Sequence, residues 1–262
     1  MDLQLKDKTA LVLASSKGLG KAIAMALAAE GADVVIGSRN QKELDETANE
    51  ISAKYKTKIF PVAVDVTIPS DIENFVFRSV REFGKIDILV NNAGGPPFGK
   101  FESFDDQAWL KAFELNLMSA VRLSRLTVPY MRKTGSGRII NIVSLSVKTY
   151  LENSVLSTSI RMGVVGMAKM LSNELGPDNI TVNNVAPGLF LTDRIRETMF
   201  KNMAAGQTEN DVLIEMAKEI PLRRIGKPEE LASLVAFLAS PLAGYITGTT
   251  IQIDGGAVKS PY

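Results

Sequence analysis

Leu13-Ala14-Ser15-Ser16-Lys17-Gly18-Leu19-Gly20, running directly into Lys21-Ala22-Ile23-Ala24, is the stretch on which the fold turns. Residues 9–14 make a short, apolar, β-rich run, and residues 20–30 are rich in alanine with helical spacing. Glycines at a strand-to-helix turn let the backbone close tightly and leave the first helix N–H groups free to face a pyrophosphate. A Gly-x-Gly alone describes an ordinary turn. The strand before it and the helix after it make this one a nucleotide cradle.

Outward from that turn the same alternation repeats. Apolar runs of strand length fall at 33–37, 59–64, 86–90, 138–143, 180–185 and 249–253, and helical stretches separate them, at 41–54, 68–83 and 228–239 among others. Strands that are apolar throughout are expected where helices cover both faces of a parallel sheet. The expectation is therefore an α/β fold, a doubly wound parallel sheet of about seven strands in one domain spanning 1–262. No Pro/Gly/Ser-rich linker or repeat divides the chain. Only 189–224 breaks the rhythm, with helix-like material at 194–203 and 211–219 but no strand. Placed after a strand end, at the edge where such sheets bind ligands, it reads as a lid on the substrate side, or else as a plain surface excursion.

Composition removes several chemistries. Cysteine and histidine are both absent, which excludes disulfides, thiolate nucleophiles, imidazole bases and the usual soft metal ligands. Thirty basic residues against 29 acidic ones give a net charge of +1, without the basic excess that nucleic acid or an anionic membrane would call for. The opening MDLQLKDKTALVLA has no signal-peptide pattern and no window is long and apolar enough to span a bilayer, so a cytoplasmic protein with a small-molecule substrate is expected.

The second strand ends at Gly37-Ser38-Arg39, where an NAD site ordinarily carries an acid for the ribose 2′-hydroxyl. The strand end has no acid. Ser38 offers a hydroxyl and Arg39 a fixed cation, while Lys17 on the glycine turn approaches the same ribose. Two cations and no carboxylate favour a 2′-phosphate, hence NADP(H), against the alternative that Lys17 and Arg39 are solvated surface charges.

Further landmarks follow in order. They are Asp65-Val66 after the third run, Asn91-Asn92-Ala93-Gly94 after the fourth, Asn116, Ser144, Pro187-Gly188-Leu189 with Thr192, Pro221-Leu222-Arg223-Arg224-Ile225-Gly226-Lys227-Pro228-Glu229-Glu230 and Ile253-Asp254-Gly255-Gly256. With Ser16 to Gly20 they cover nearly the whole chain, which resembles the short-chain dehydrogenase/reductases, a Rossmann-type family. The resemblance implies that Asp65 and Val66 hold the adenine, that Asn92, Ala93 and Gly94 line the cofactor, and that Pro187 to Thr192 embrace the nicotinamide end. It also implies a homo-oligomer, a tetramer or dimer. The family's first motif glycine is Ala14 here, tolerable where φ is negative.

Such enzymes exchange hydride between a nicotinamide and a carbonyl/alcohol pair with the help of Asn, Ser, Tyr and Lys. Asn116 and Ser144 match the first two. The Tyr and Lys positions, thirteen and seventeen residues after Ser144, hold Ser157 and Arg161. Gly163 and Gly166 fall where the family's next helix carries glycines, which fixes the register. Spacing i, i+4 places Ser157 and Arg161 on one helix face toward the cofactor. An alkyl hydroxyl is a far poorer proton donor than a phenol, and Arg stays protonated, leaving it a ribose anchor and a source of positive field. Lys148 and Tyr150, in the loop after Ser144, are the substitute acid candidates, or else a solvated charge and a packed wall. Tyr55, Tyr130, Tyr245 and Tyr262 are expected to pack.

Three readings follow. One is an NADP(H)-dependent oxidoreductase with altered acid/base chemistry. Another is a nucleotide-binding sensor or assembly protein without turnover. The third is a lyase similar to the halohydrin dehalogenases, which Arg161 fits and the missing Tyr and intact cofactor landmarks do not.

Overall fold

The computed structural model describes residues 1–193, 195–197, 203 and 206–259. Its elements run β1 (Thr9–Leu13), α1 (Gly18–Ala29), β2 (Asp33–Ser38), α2 (Gln41–Lys54), β3 (Ile59–Ala63), α3 (Pro69–Phe83), β4 (Ile88–Asn91), α4 (Asp106–Phe113), a π turn (Glu114–Met118), α5 (Ser119–Thr134), β5 (Gly137–Ile142), α6 (Val155–Glu174), β6 (Ile180–Pro187), α7 (Glu209–Ala217), α8 (Pro228–Ala239) and β7 (Thr250–Ile253). All seven strands pair in parallel in the order β3-β2-β1-β4-β5-β6-β7. This is the Rossmann-type sheet expected from the apolar runs.

Alternate residues of the central strands feed two separate cores. Ala10, Val12, Val34, Ile36, Ile88, Val90 and Ile140 pack with Ile23 and Leu27 of α1 and Leu231 and Val235 of α8. Leu11, Leu13, Val35, Leu89 and Ile139 pack on the other face with Ile72 and Phe75 of α3 and Leu123 of α5. A strand covered on both faces gains nothing from alternating polarity, so it reads as continuous hydrophobic sequence. The edge strands β3 and β7 have one unpaired flank and stay mostly half-buried.

The chain leaves β3 at one edge of the sheet and returns to β4, beside β1, so the order reverses between β1 and β4. Carboxyl ends of strands splay apart at such a reversal and open a crevice for ligands. Across β4 to β7 a row of side chains lies in register: Asn91 Nδ2 donates to Asn141 Oδ1 (2.8 Å), Asn141 Nδ2 to Asn184 Oδ1 (2.9 Å) and Asn184 Nδ2 to Thr250 Oγ1 (3.0 Å). Buried amides are tolerable here because each finds a partner on the next strand.

After β6, Phe190 pairs with Gly226, with Leu191 N–H on Gly226 O (2.9 Å) and Gly226 N–H on Leu189 O (3.0 Å). The excursion between them holds α7, which is closed at its start by a reciprocal Thr208–Asp211 cap. Of the helix expected over 194–203, residues 195–197 are helical and 194, 198–202 lie outside the described residues, as does Tyr262. Among the described residues no helix is long and apolar enough to cross a membrane.

Candidate nucleotide-binding and catalytic site

The glycine turn lies where β1 opens into α1. Ser15, fully buried, laces it to the end of β2: its N–H donates to Gly37 O (3.1 Å), and its Oγ accepts from Gly37 N–H (2.9 Å). Helix α1 crosses Ala14 so closely that a Cβ on Gly20 would stand 2.1 Å from the Ala14 carbonyl oxygen. Gly18 has φ +58°, a left-handed conformation suited to glycine. Lys17, the N-cap, makes no side-chain cap bond, so the first N–H groups of α1 remain available to an anion. Ala14 departs from expectation. Its φ is +49°, not negative, so the methyl in the glycine position is held in the left-handed region at a cost of about 1 kcal/mol.

At the ribose end the structure adds a residue that the sequence reading missed. Arg39 and Lys17 are exposed and Ser38 is half-buried, its Oγ buried without a partner among the described residues. The end of β2 lacks an acid, yet α2 delivers one. Glu43, in its first turn, accepts from Ser16 Oγ at 3.0 Å, and Thr47 Oγ1 donates to Ser16 O at 2.9 Å. The available signal was Asn40 followed three residues on by Glu43, a helix-start pattern that places Glu43 in the first turn. Asp65 lies beyond β3. Burial pushes its carboxyl up, but hydrogen bonds from Thr67 N–H (2.9 Å) and Thr67 Oγ1 (2.7 Å), with the Arg39 charge, outweigh that and hold it below its ordinary range. Val66 beside it is half-buried.

Asn92 and Asn116 fix the other end. Asn92 Nδ2 donates to Leu13 O (3.2 Å) and Ala14 O (3.5 Å), tying the end of β4 to the glycine turn. Asn116 sits in the π turn, where Ser119 N–H reaches back five residues to Glu114 O. The wider turn interrupts the helical run between α4 and α5 and presents Asn116, whose Nδ2 donates to Gly94 O (3.0 Å). Asn116 Oδ1 and Asn91 Oδ1 are buried without a partner among the described residues. Gly188 N–H donates to Ile253 O (2.9 Å), and a Cβ on Gly188 would lie 2.8 Å from Asp254 Cα, so this corner also needs glycine. Beyond Leu189 the chain folds back over the cradle. A Cβ on Gly18 would meet Thr192 Cγ2 at 3.6 Å, so the segment after β6 crosses the glycine turn itself.

Ser144 follows β5, half-buried, and its Oγ accepts from Ser146 N–H (3.2 Å). Ser157 is half-buried on α6. One turn on, Arg161 is only 7% exposed and its Nη1 donates to Ile142 O (2.9 Å) and Val143 O (2.7 Å), the carbonyls just before Ser144. The guanidinium thus reaches the end of β5. It lines a small cavity of about 20 Å³ together with Asn91, Asn92, Asn116 and Asn141. Space of that size admits one water.

Tyr150 is 86% exposed and borders a separate hollow of about 460 Å³, shared with Phe101, Leu151, Ser154 and Thr158, whose lining includes neither Ser144, Ser157 nor Arg161. Lys148 is half-buried and lines neither space. Tyr55 and Tyr130 pack against the two cores as expected. Tyr245 does not; it is fully exposed after α8. No group of three or more acidic residues among the described ones could hold a metal.

A family model described as enoyl-(acyl carrier protein) reductase matches residues 13–258. A Caenorhabditis elegans protein named dehydrogenase/reductase SDR family member 4 is 37% identical over 254 residues, 97% of this chain and 96% of the relative. The 3-oxoacyl-acyl-carrier-protein reductase FabG of Haemophilus influenzae is 37% identical over 256 residues, 98% of this chain and all of the relative. The solved structure of L-sorbose reductase from Gluconobacter frateurii, complexed with NADPH and L-sorbose, superposes with a TM-score of 0.96 at 35% identity, covering 99% of this chain and 100% of that one. With one architecture and matches along nearly its whole length, the chain belongs to the short-chain dehydrogenase/reductase family.

Proposed function

We propose that this short-chain dehydrogenase/reductase is an NADP(H)-dependent oxidoreductase acting on a carbonyl/alcohol pair, whose acid/base step runs without a Tyr–Lys pair. The convergence on the glycine turn carries the reading: Ser15 binds it to β2, Asn92 binds it to β4 and Thr192 crosses Gly18. Gly20, where any side chain would strike Ala14 O, and the uncapped start of α1 fit a pyrophosphate, while Ser38, Arg39 and Lys17 fit a 2′-phosphate. L-Sorbose reductase, so close in fold, was solved with NADPH.

When bound, the nicotinamide supplies or accepts the hydride. Ser144 donates its hydroxyl hydrogen to the substrate oxygen, its lone pair being taken by Ser146 N–H. Arg161 cannot shuttle a proton. It fixes the Ile142 and Val143 carbonyls that position Ser144 and lends a positive field beside the site. The proton comes from water, passed by Ser144 and Ser157, while Tyr150 stands in the wall of the outer hollow. The excursion over 189–224 forms the substrate-side lid.

Calorimetric titration tests the cofactor assignment: NADPH binds at least about tenfold tighter than NADH, the contribution of one charge-assisted guanidinium–phosphate contact. Arg39→Asp reverses the order. Equal affinities overturn the assignment. One observation favours a second reading, a nucleotide-binding protein without turnover: the cation that replaces the family's Lys is bonded to backbone carbonyls. Bound NADPH that is never oxidised by any carbonyl in a single-turnover experiment selects that reading.

A further inference from the structure

The carboxylate on Ser16 has no place in the cofactor assignment above, and it carries the next step. Ser16 lies in the glycine turn beside Lys17, and the turn is laced to the end of β2 through Ser15 and Gly37, one residue before Ser38 and two before Arg39. Glu43 reaches this same corner from α2 and holds the Ser16 hydroxyl at 3.0 Å, while Thr47 holds the Ser16 carbonyl at 2.9 Å. Lys17 and Arg39 are exposed cations and the Ser38 hydroxyl is buried without a partner among the described residues, all suited to a dianion. Glu43 opposes it on Ser16, and Asp65, within the field of Arg39, is a second carboxylate nearby.

We infer that Glu43 is a specificity-determining residue that competes with the 2′-phosphate of the nucleotide for Ser16, and so limits the NADP(H) preference. The inference rests on the cofactor assignment proposed above. Without nucleotide, Glu43 occupies the Ser16 hydroxyl. A 2′-phosphate entering the corner meets like charge and must take Ser16 from the carboxylate. A ribose with a free 2′-hydroxyl carries no charge there and meets little opposition. The same residue thereby keeps the corner from holding phosphorylated nucleotides too tightly to exchange.

Glu43→Gln isolates the charge, because the amide oxygen still accepts from Ser16 and the side chain keeps its shape. The wild type and this variant are titrated with NADPH, NADH and 2′,5′-ADP, with thermal denaturation to check that both are folded. Removing one charge a few ångströms from a dianion in a solvated site tightens NADPH and 2′,5′-ADP by about five- to tenfold and leaves NADH within about twofold. Glu43→Asp, which keeps the charge, leaves the ratio near the wild-type value. Unchanged affinity for 2′,5′-ADP in Glu43→Gln overturns the inference, as does an equal shift for all three ligands. Weakened NADH with unchanged NADPH also overturns it, since the carboxylate would then grip the ribose hydroxyls. Equal wild-type affinities for NADPH and NADH defeat the cofactor assignment instead, and the 2′,5′-ADP comparison still decides the role of Glu43.

Discussion

Gly20→Ala concentrates the account of the cradle in one methyl group. The added Cβ would stand 2.1 Å from Ala14 O, 2.7 Å from Ala14 C and 2.9 Å from Ser15 Cα, all of them backbone atoms. Ordinary carbon–oxygen contacts begin near about 3.3 Å, so a gap of more than about 1 Å must open. The turn cannot supply it freely, since Ser15 is bonded to Gly37 and Asn92 to Leu13. Nor can α1, whose Ile23 and Leu27 are fully buried against the sheet and α8. Overpacking of this kind costs about 2–3 kcal/mol, which for a domain of this size lowers the melting temperature by about 4–10 °C. Urea denaturation followed by circular dichroism measures the loss of stability. Because the same displacement moves the N–H groups that face the pyrophosphate, NADPH affinity falls by at least about tenfold. A variant with the wild-type denaturation midpoint and wild-type affinity would refute the close approach.

Three other outcomes follow from the site. Ala14→Gly relieves a φ of +49°, worth about 1 kcal/mol, but adds freedom to the unfolded chain that offsets about 0.4–1 kcal/mol, so the net gain is about 0–0.6 kcal/mol, an equal or slightly higher urea midpoint; a clearly lower midpoint contradicts the strained backbone. Ser144→Ala removes the donor to the substrate oxygen and slows turnover by about 10²- to 10³-fold, whereas Tyr150→Phe, at a position 86% exposed, changes it by less than about threefold; comparable losses in both would make Tyr150 the acid. At the start of α8, the Arg224 side chain chiefly, then the Lys227 N–H, hold the Glu230 carboxyl down to about 2. A depressed carboxyl favours the folded state above its unfolded pKa and loses that contribution as pH falls toward 2, so carbon NMR finds Glu230 still ionised at about pH 3.5. Arg224→Met returns its midpoint toward about 4.3, and an unmoved midpoint contradicts the clasp.

Much of the sheet could be read from sequence because burial on both faces turns each strand into an uninterrupted apolar run. The ends were less legible: Ile86 is buried, yet β4 begins at Ile88, because Asp87 leads into it with its carboxylate on Thr9 N–H. Nothing in the letters around Asn116 marks the π turn between α4 and α5. What the sequence hid depends on backbone angle or side-chain direction. An alanine letter carries no sign of φ. Helical spacing put Ser157 and Arg161 on one face, but a side chain as long as arginine can curl to carbonyls beneath its own helix. Glu43 is hidden in the sequence because an NAD-site acid ordinarily stands at the end of β2, whereas α2 brings this one back to the turn from its first helical residues. Tyr245 was assigned to packing by its ring alone and stands fully in solvent.

Hydride transfer without the Tyr–Lys pair can be read by following the hydride itself. The protein loaded with NADPH carrying deuterium at C4 on both faces is mixed with a panel of ketoses, β-keto esters and cyclic ketones, and the products are analysed by mass spectrometry. The account predicts an alcohol from at least one acceptor with a single deuterium on the carbinol carbon, formed in proportion to oxidised cofactor and greatly slowed by Ser144→Ala. Nucleotide that stays bound and reduced with every acceptor, in a protein that binds NADPH tightly, would contradict it.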